Sequence, residues 1–129
     1  MEESNVSMNN VQTADTFTLE DMQPEVMNPK LRRRVITGEK LTISQIWLDE
    51  GIEVPMHRHE SEQMVHVISG SMEFTFEDSS KAVVKAGQVL VIPPNLGHSA
   101  VALEDTEEWD IFAPRREDWL TGNDHYLRG

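Results

Sequence analysis

The 129-residue chain contains no cysteine. Disulfides, thiolate metal ligands and cysteine nucleophiles are therefore excluded. The chain also lacks any apolar run close to the roughly 20 residues that span a bilayer. Its first residues include Glu2 and Glu3, where a secretory signal needs positive charge. These absences predict a soluble, cytoplasmic protein with no membrane partner.

Basic residues are scarce as well, because 11 Lys and Arg stand against 23 Asp and Glu, a net charge of −12. Such a charge repels phosphate backbones, so we expect no nucleic-acid partner. The length suits one domain and is too short for two. The first fourteen residues hold few large apolar side chains, so we predict a mobile, disordered tail over residues 1–14 and a single domain over residues 15–129.

Short segments rich in Val, Ile, Thr and aromatic residues follow one another along the chain, separated by Gly, Pro, Asn and Asp. Composition of this kind is typical of strands and turns. The predicted strands cover residues 41–48, 63–69, 72–77, 81–85, 88–92, 97–103 and 108–113. Many short strands at even spacing favour an antiparallel sandwich or barrel. The only helix we expect is a short one near residues 116–120.

Two histidines, His57 and His59, stand two residues apart. Side chains two apart in an extended strand project from the same face, so both imidazoles should point the same way. Gln63 shares this parity, and a neighbouring strand can bring His98 beside the three. Imidazole is the commonest protein ligand of transition metals and an amide oxygen can complete the set, so we interpret the four as one metal site. The alternative for Gln63 is a polar cavity residue that hydrogen-bonds substrate or water.

The residues around these histidines follow two motifs of the cupin family. The first begins at Gly51 and reads G-x5-H-x-H-x3-Q-x6-G, and the second begins at Gly87 and reads G-x5-P-x4-H. The chain resembles a small cupin over about residues 31–119. The resemblance implies an all-β, cupin-type jelly-roll barrel, also described as a double-stranded β-helix. It also implies that the four residues of the proposed metal site are its ligands.

A second group of candidates lies in the segment WDIFAPRREDWL, which begins at Trp109. Strand alternation puts Asp110 and Phe112 on one face, and Arg116 can fold back toward the barrel mouth after Pro114. Beside a metal, the carboxylate, the ring and the guanidinium could serve as proton carrier, apolar wall and anion clamp. The residue types alone leave another interpretation open, in which Asp110 and Arg116 pair with each other or with surface charges and Phe112 belongs to the core.

The combination of HRHESEQ, PPNLGH and DIFAPRREDW is similar to a group of small cupins from pectin and alginate breakdown. These enzymes convert an unsaturated uronate into its linear keto form. The resemblance implies a divalent metal, a small anionic sugar-acid substrate, and catalytic roles for Asp110, Phe112 and Arg116. It also implies a homodimer, and residues 17–36 are the candidate segment for crossing to the partner, with residues 17–19 able to join a sheet edge.

Three neutral imidazoles and an amide leave both positive charges of a divalent metal uncompensated. Such a centre attracts an anion and acts as a Lewis acid on an oxygen atom. These ligands accept nickel, zinc, iron or manganese, so the sequence does not select the metal. Two other functions stay open: a non-haem iron oxygenase, which usually has a carboxylate ligand, and a non-catalytic cupin that binds a small acid.

Several remaining residues are assigned structural roles. If Gln63 faces inward, Val65 and Val67 do too and form an apolar wall below the metal, whereas His66 faces outward as a packing or interface residue. His125 lies in a polar segment and is predicted to be at the surface. The basic cluster at residues 30–34 is interpreted as a solvated strand edge that neutralises nearby carboxylates, in preference to an anion-binding site.

Overall fold

Two antiparallel β-sheets face each other in the structure, a computed structural model that describes residues 13–128. One sheet has the strand order β1-β2-β3-β10-β5-β8 and the other β4-β9-β6-β7. Within the described residues the strands are β1 (Glu25–Asn28), β2 (Leu31–Thr37), β3 (Thr42–Leu48), β4 (Glu53–His57), β5 (Glu62–Ser69), β6 (Ser71–Phe76), β7 (Lys81–Lys85), β8 (Val89–Ile92), β9 (His98–Ala102) and β10 (Thr106–Ala113). The predicted all-β jelly roll is confirmed.

All seven predicted strands are present, and their ends differ from the prediction by two residues at most. β1, β2 and β4 are not among the predicted segments. Residues 17–19 do not form a strand; a 3-10 turn occupies Leu19–Asp21 and the first strand begins at Glu25. The predicted tail over residues 1–14 stays a prediction, because residues 1–12 lie outside the described part of the chain.

No helix within residues 13–128 is long and apolar enough to cross a bilayer.

Strand alternation decides which side chains enter the space between the sheets. On β5 the inward residues are Gln63, Val65 and Val67, and both valines are fully buried, as the parity argument predicted. His66 faces outward and is exposed. On β10 the buried positions are likewise two residues apart, at Thr106, Glu108, Asp110 and Phe112.

The core fills the space between the two sheets. Its buried apolar members are Met27, Leu31, Ile46, Leu48, Val65, Val67, Met72, Phe74, Val84, Ile92, Ala100, Ala102 and Leu127. Most come from inward positions of the strands, where apolar burial supplies the main driving force for folding. Leu127 comes from the C-terminal segment, so this segment packs against the barrel.

Two one-turn helices end the described chain: α1 (Glu117–Leu120) and α2 (His125–Arg128). α1 lies where a helix was expected. The prediction of a single helix is wrong, because α2 follows it, and His125 is exposed at its first position as expected. Isolated helices this short are unstable, so packing of Leu127 and Tyr126 onto the barrel must hold α2 in place.

Arg33 corrects the interpretation of the basic cluster. It shares the inward face of β2 with Leu31 and is only 2% exposed, whereas Arg32 and Arg34 are half-buried. Its Nη2 lies 2.6 Å from Asp124 Oδ2 and its Nε 3.0 Å from Glu25 Oε1. Arg33 does neutralise carboxylates, as predicted, but in the interior rather than at a solvated edge.

Candidate metal centre

The three histidines of the two motifs converge inside the barrel. His57 and His98 are directly opposite each other on β4 and β9, with ring centroids 4.3 Å apart. The His59 ring lies 5.5 Å from His57 and 5.1 Å from His98. One ligand atom from each ring can be chosen so that all lie within 4.8 Å of one another, which brings the predicted histidines close enough to hold one ion.

The geometry that brings them together differs from the predicted one. His59 does not continue a strand with His57, because β4 ends at His57 and His59 lies in the loop before β5. Gln63 then stands on the other sheet. The chain crosses between sheets over residues 58–61, and the backbone N–H of Asn95 donates to the carbonyl of His59 at 2.8 Å. Parity along one strand therefore does not explain the cluster.

Backbone carbonyls fix the tautomer of each imidazole. In every case Nδ1 lies 2.8 to 2.9 Å from a carbonyl oxygen two residues away in the chain: His57 with Pro55, His59 with Ser61 and His98 with Leu96. A carbonyl oxygen only accepts, so Nδ1 carries the hydrogen and Nε2 keeps its lone pair for the centre. The Nε2 of His98 is buried and has no hydrogen-bond partner.

The same surroundings keep the rings uncharged. Burial lowers the pKa of His57 to about 3 and that of His59 to about 4, and it lowers the pKa of His98 as well. The charge of Arg116 pushes each of these pKa values in the same direction. Near neutral pH the three imidazoles are therefore neutral, as metal ligation requires.

Gln63 supplies a fourth candidate metal ligand, its amide oxygen. Its Nε2 donates to Asp110 Oδ2 at 3.1 Å, which leaves Oε1 facing His59 Nε2 at 3.0 Å. With the tautomer described above, both of these facing atoms are acceptors, a contact that is favourable only with a cation beside them. Three imidazole nitrogens and one amide oxygen therefore fit a divalent transition metal.

Asp110 and Glu108 form a pair of buried carboxyl groups behind Gln63. They are 3% and 4% exposed, and neither makes an ion pair within residues 13–128. Burial raises the pKa of Asp110 to about 6, and burial together with the neighbouring Asp110 charge raises the pKa of Glu108 well above its usual range. One oxygen of each group has no partner, so the two can share a proton. Glu108 was missed by the sequence analysis, although its spacing of two from Asp110 signals the same face.

Phe112 and Arg116 also lie beside the cluster. Phe112 is 1% exposed, and its ring meets that of His59 edge to face at 5.7 Å. The Arg116 guanidinium sits 4.8 Å from the Phe112 ring centroid. Its guanidinium donates to both oxygens of Asp118, at 2.9 and 2.7 Å. Of the alternative interpretation, the Asp110–Arg116 pair is therefore absent, whereas Arg116 does pair with another, partly exposed charge.

Tyr126 of α2 covers the centre, and nothing in the sequence signalled it. Its ring stacks on His57 with centroids 4.3 Å apart and 25° between planes. Its hydroxyl accepts hydrogen bonds from Arg116 Nη2 at 2.6 Å and from Trp119 Nε1 at 3.2 Å. The side chains that line one cavity of about 50 Å³ include His57, Gln63, Asp110, Arg116 and Tyr126.

Comparison with known proteins agrees with the architecture. Residues 47–109 match the family described as the Cupin domain. KdgF from Halomonas sp. is 29% identical, with a TM-score of 0.76, covering 83% of this chain and 99% of that one. An RmlC-like cupin from Shewanella frigidimarina is 28% identical, with a TM-score of 0.75, covering 84% and 97%. No curated protein matches the chain.

A more distant likeness concerns the fold alone. An oxalate decarboxylase, OxdC from Bacillus subtilis, is 23% identical with a TM-score of 0.68, over 81% of this chain and 31% of that one. The two antiparallel sheets agree with all of these likenesses. Residues 47–109 thus match the Cupin domain, and the chain is similar over most of its length to solved small cupins.

Proposed function

We propose that the protein converts a 4,5-unsaturated uronate into its linear keto form. The observation that carries the proposal is the hydrogen bond from the Gln63 amide to Asp110, because it places a buried acid directly behind a proposed metal ligand. The motifs resemble those of uronate-ketonising small cupins, and KdgF from Halomonas sp. aligns over 99% of its own length and 83% of this chain. The likeness supports the same reaction class here.

His57, His59, Gln63 and His98 would hold the metal, which is nickel, zinc, iron or manganese. When bound, a divalent metal with only neutral ligands supplies Lewis acidity toward a substrate oxygen and attracts an anion. The chain itself contributes the positive charge of Arg116. Burial lowers the pKa of this group, but Asp118 and Tyr126 together outweigh burial and raise it. A small anionic sugar acid suits both features.

The reaction relocates one proton without consuming any. The ring hydroxyl on the anomeric carbon loses its proton, the bond from that carbon to the ring oxygen breaks, and the carbon of the enol double bond distal to that oxygen gains a proton as the ketone forms. Asp110, with a pKa of about 6, can both accept and return a proton near neutral pH. Glu108 provides a second acid in contact with it, and the Phe112 ring excludes water from one side.

The decisive test is an assay of the purified protein with unsaturated uronates, after elemental analysis of the protein as isolated. We expect the ultraviolet absorbance of the conjugated double bond to disappear faster than in buffer. A chelator should abolish this acceleration, and adding back one divalent metal should restore it. Acceleration that persists in protein shown to be metal-free would contradict the proposal.

The same preparation separates the other two functions. Oxygen uptake with iron(II) and a sugar acid, without ketonisation, would identify an oxygenase, although the histidine cluster contains no carboxylate ligand. Saturable binding of a uronate without turnover would identify a non-catalytic acid-binding cupin.

We also propose a homodimer formed through residues 17–36. Phe17 and Val26 are 58% and 63% exposed in the single chain, and β1 is an edge strand of the six-stranded sheet. An exposed edge with apolar side chains favours pairing with a second chain. Sedimentation at dilute concentration should show a dimer, and a monomer would refute the proposal.

A further inference from the structure

The cavity below the histidines is too small for the proposed ligand. Its volume is about 50 Å³, whereas sites for small molecules commonly measure about 300–1,000 Å³. A uronate has on the order of a dozen non-hydrogen atoms and must be largely enclosed to be bound specifically. Part of the wall therefore has to move before a sugar acid reaches the histidines.

The C-terminal cap, residues 117–128, is the part of the wall best suited to move. The remaining walls are strands held by hydrogen-bond ladders, whereas the cap consists of two single-turn helices laid across the mouth. Tyr126 and Leu127 line the small cavity on one side and an outer groove of about 650 Å³ on the other. These two side chains therefore form part of the partition between the groove and the histidines.

Charged contacts hold the cap closed against β1 and β2. Asp124 accepts hydrogen bonds from Arg33 at 2.6 Å and from Arg128 at 2.9 Å, and Arg128 also reaches Glu25 at 2.9 Å. The ring of Trp119 lies between the guanidinium groups of Arg33 and Arg116, 4.3 and 4.7 Å from its centroid. Opening the cap would leave Arg33 with its second partner, Glu25, and would withdraw from the core one buried member, Leu127, and the partly buried Trp119 and Tyr126.

We infer that the cap is a gate, and that Tyr126 occupies the place of the ligand. The Tyr126 ring covers His57, and its hydroxyl takes one donor of Arg116. Displacing the cap opens the site to the outer groove and releases that donor for a carboxylate of the ligand. A uronic acid therefore binds to the open form. The identity of the ligand rests on the proposed function, whereas the cap would have to move for any ligand of about this size.

Hydrogen exchange of the unmodified, full-length protein is the first test. The backbone amides of Asn123 and Leu127, which bond to Asp118 and Asp124, should exchange at least about a hundredfold faster than the inner amides of β10. Adding D-galacturonate should speed exchange in the cap further. Cap amides that exchange as slowly as those of β10, or that become more protected with D-galacturonate, would overturn the inference.

A variant of the charged contacts is the second test. Because the closed form competes with ligand, each tenfold fall in the closed-to-open ratio gives a tenfold gain in apparent affinity as long as the closed form predominates. Asp124→Asn should therefore lower the dissociation constant of D-galacturonate about tenfold, measured by calorimetry. The matched control is Asp49→Asn. Asp49 pairs with Arg32, which lies next to Arg33 on β2, and neither residue belongs to the cap. Equal affinity of the two variants, or weaker binding by Asp124→Asn, would contradict the gate.

The outcomes separate the gate from the proposed function. Rapid exchange in the cap together with no ketonisation would leave the gate standing and remove the reaction. Ketonisation by a protein whose cap exchanges as slowly as β10 would do the opposite. If Asp124→Asn does not fold, Tyr126→Phe removes only the hydroxyl bound to Arg116, and it should still tighten D-galacturonate binding; unchanged binding would count against the gate.

Discussion

Two clusters of buried acids in this protein differ in their neighbours: one lies against arginine side chains and the other does not. In the arginine-paired cluster, Asp124 is completely buried and lies against Arg33 and Arg128. In the unpaired cluster, Asp110 and Glu108 are almost as deeply buried but lie against Gln63 and each other. Burial alone would raise the pKa of all three acids. The hydrogen bonds from Arg128 and Arg33 outweigh it and lower the pKa of Asp124, whereas the pKa of Asp110 and Glu108 stays raised.

The difference follows from counter-charge rather than from burial. A buried carboxylate beside a guanidinium keeps its charge and joins two segments, here the cap and β2. A buried carboxyl without a cation keeps its proton to higher pH and can exchange it with a ligand. The arginine-paired cluster is therefore expected to act in stability and cap closure, and the unpaired cluster in catalysis.

The largest expected effect concerns the unpaired cluster. Asp110→Asn removes the proton carrier while the amide can still bond to Gln63, so turnover of an unsaturated uronate should fall about 10²- to 10⁴-fold. Metal content, measured by elemental analysis, should not change. The control is Asp21→Asn at an exposed position. Unchanged turnover, or loss of the metal, would show that Asp110 is not the proton carrier.

The second effect concerns the arginine-paired cluster. Asp124→Asn leaves the buried Arg33 with one charged partner, so the free energy of unfolding should fall by about 3 kcal/mol, measured by urea denaturation. The exposed control Asp49→Asn should lose less than about 1 kcal/mol. Replacing both partners with apolar residues, as in Arg33→Met with Asp124→Leu, should recover much of the loss. A single variant as stable as the control would mean that the buried pair does not hold the cap.

The sequence predicts the unpaired cluster better than the paired one, for a physical reason. Strand alternation is local, so residues two apart share a face, and this places Asp110, Phe112, Val65 and Val67 correctly. The same rule extends to Glu108. Motif spacing likewise predicts that His57, His59 and His98 meet, although the crossing between the sheets is not visible in it.

The paired cluster depends on contacts that no local pattern contains. Arg33 and Asp124 are 91 residues apart, and the charge of Arg33 suggested a solvated position. Tyr126 lies in a short polar segment with no period, so its place above His57 arises only from the packing of α2. Tertiary contacts, rather than propensity, fix both features.

A third prediction compares how the two clusters change the free energy of unfolding with pH in the metal-free protein. Asp110 has a folded pKa of about 6 against an ordinary value of 3.8, so its stabilising effect is complete below 3.8 and is lost as the pH rises through about 6. The pKa of Asp124 is lowered, so its effect is present above 3.8 and is lost as the pH falls through the lower folded value. The free energy of unfolding of the wild type should therefore fall by about 1 to 3 kcal/mol between pH 4 and pH 6 because of Asp110, and this fall should be absent in Asp110→Asn. Urea denaturation across this range measures it, and parallel curves for wild type and variant would contradict it.

The smallest expected effect concerns an exposed acid, Glu77. It tests whether an acid that pairs with arginine contributes only to stability or also to the metal site. Its Oε2 meets Arg58 Nη2 at 3.0 Å, and both side chains are largely in water. Its Oε1 accepts the N–H of Gly97 at 2.8 Å, so the pair joins the loop between His57 and His59 to the residue before His98.

Because an exposed ion pair contributes little to stability, Glu77→Gln should leave urea denaturation unchanged. The loops that carry the histidines should nevertheless become less ordered, and affinity for zinc or nickel should fall by up to about tenfold in competition with a chelator. Glu73→Gln is the control, because Glu73 faces Lys81 away from the two loops. Lower stability with unchanged metal affinity would place Glu77 with Asp124, as a residue that only joins segments. The opposite result would show that an arginine-paired acid can also serve the site, because its position between the ligand loops decides its role.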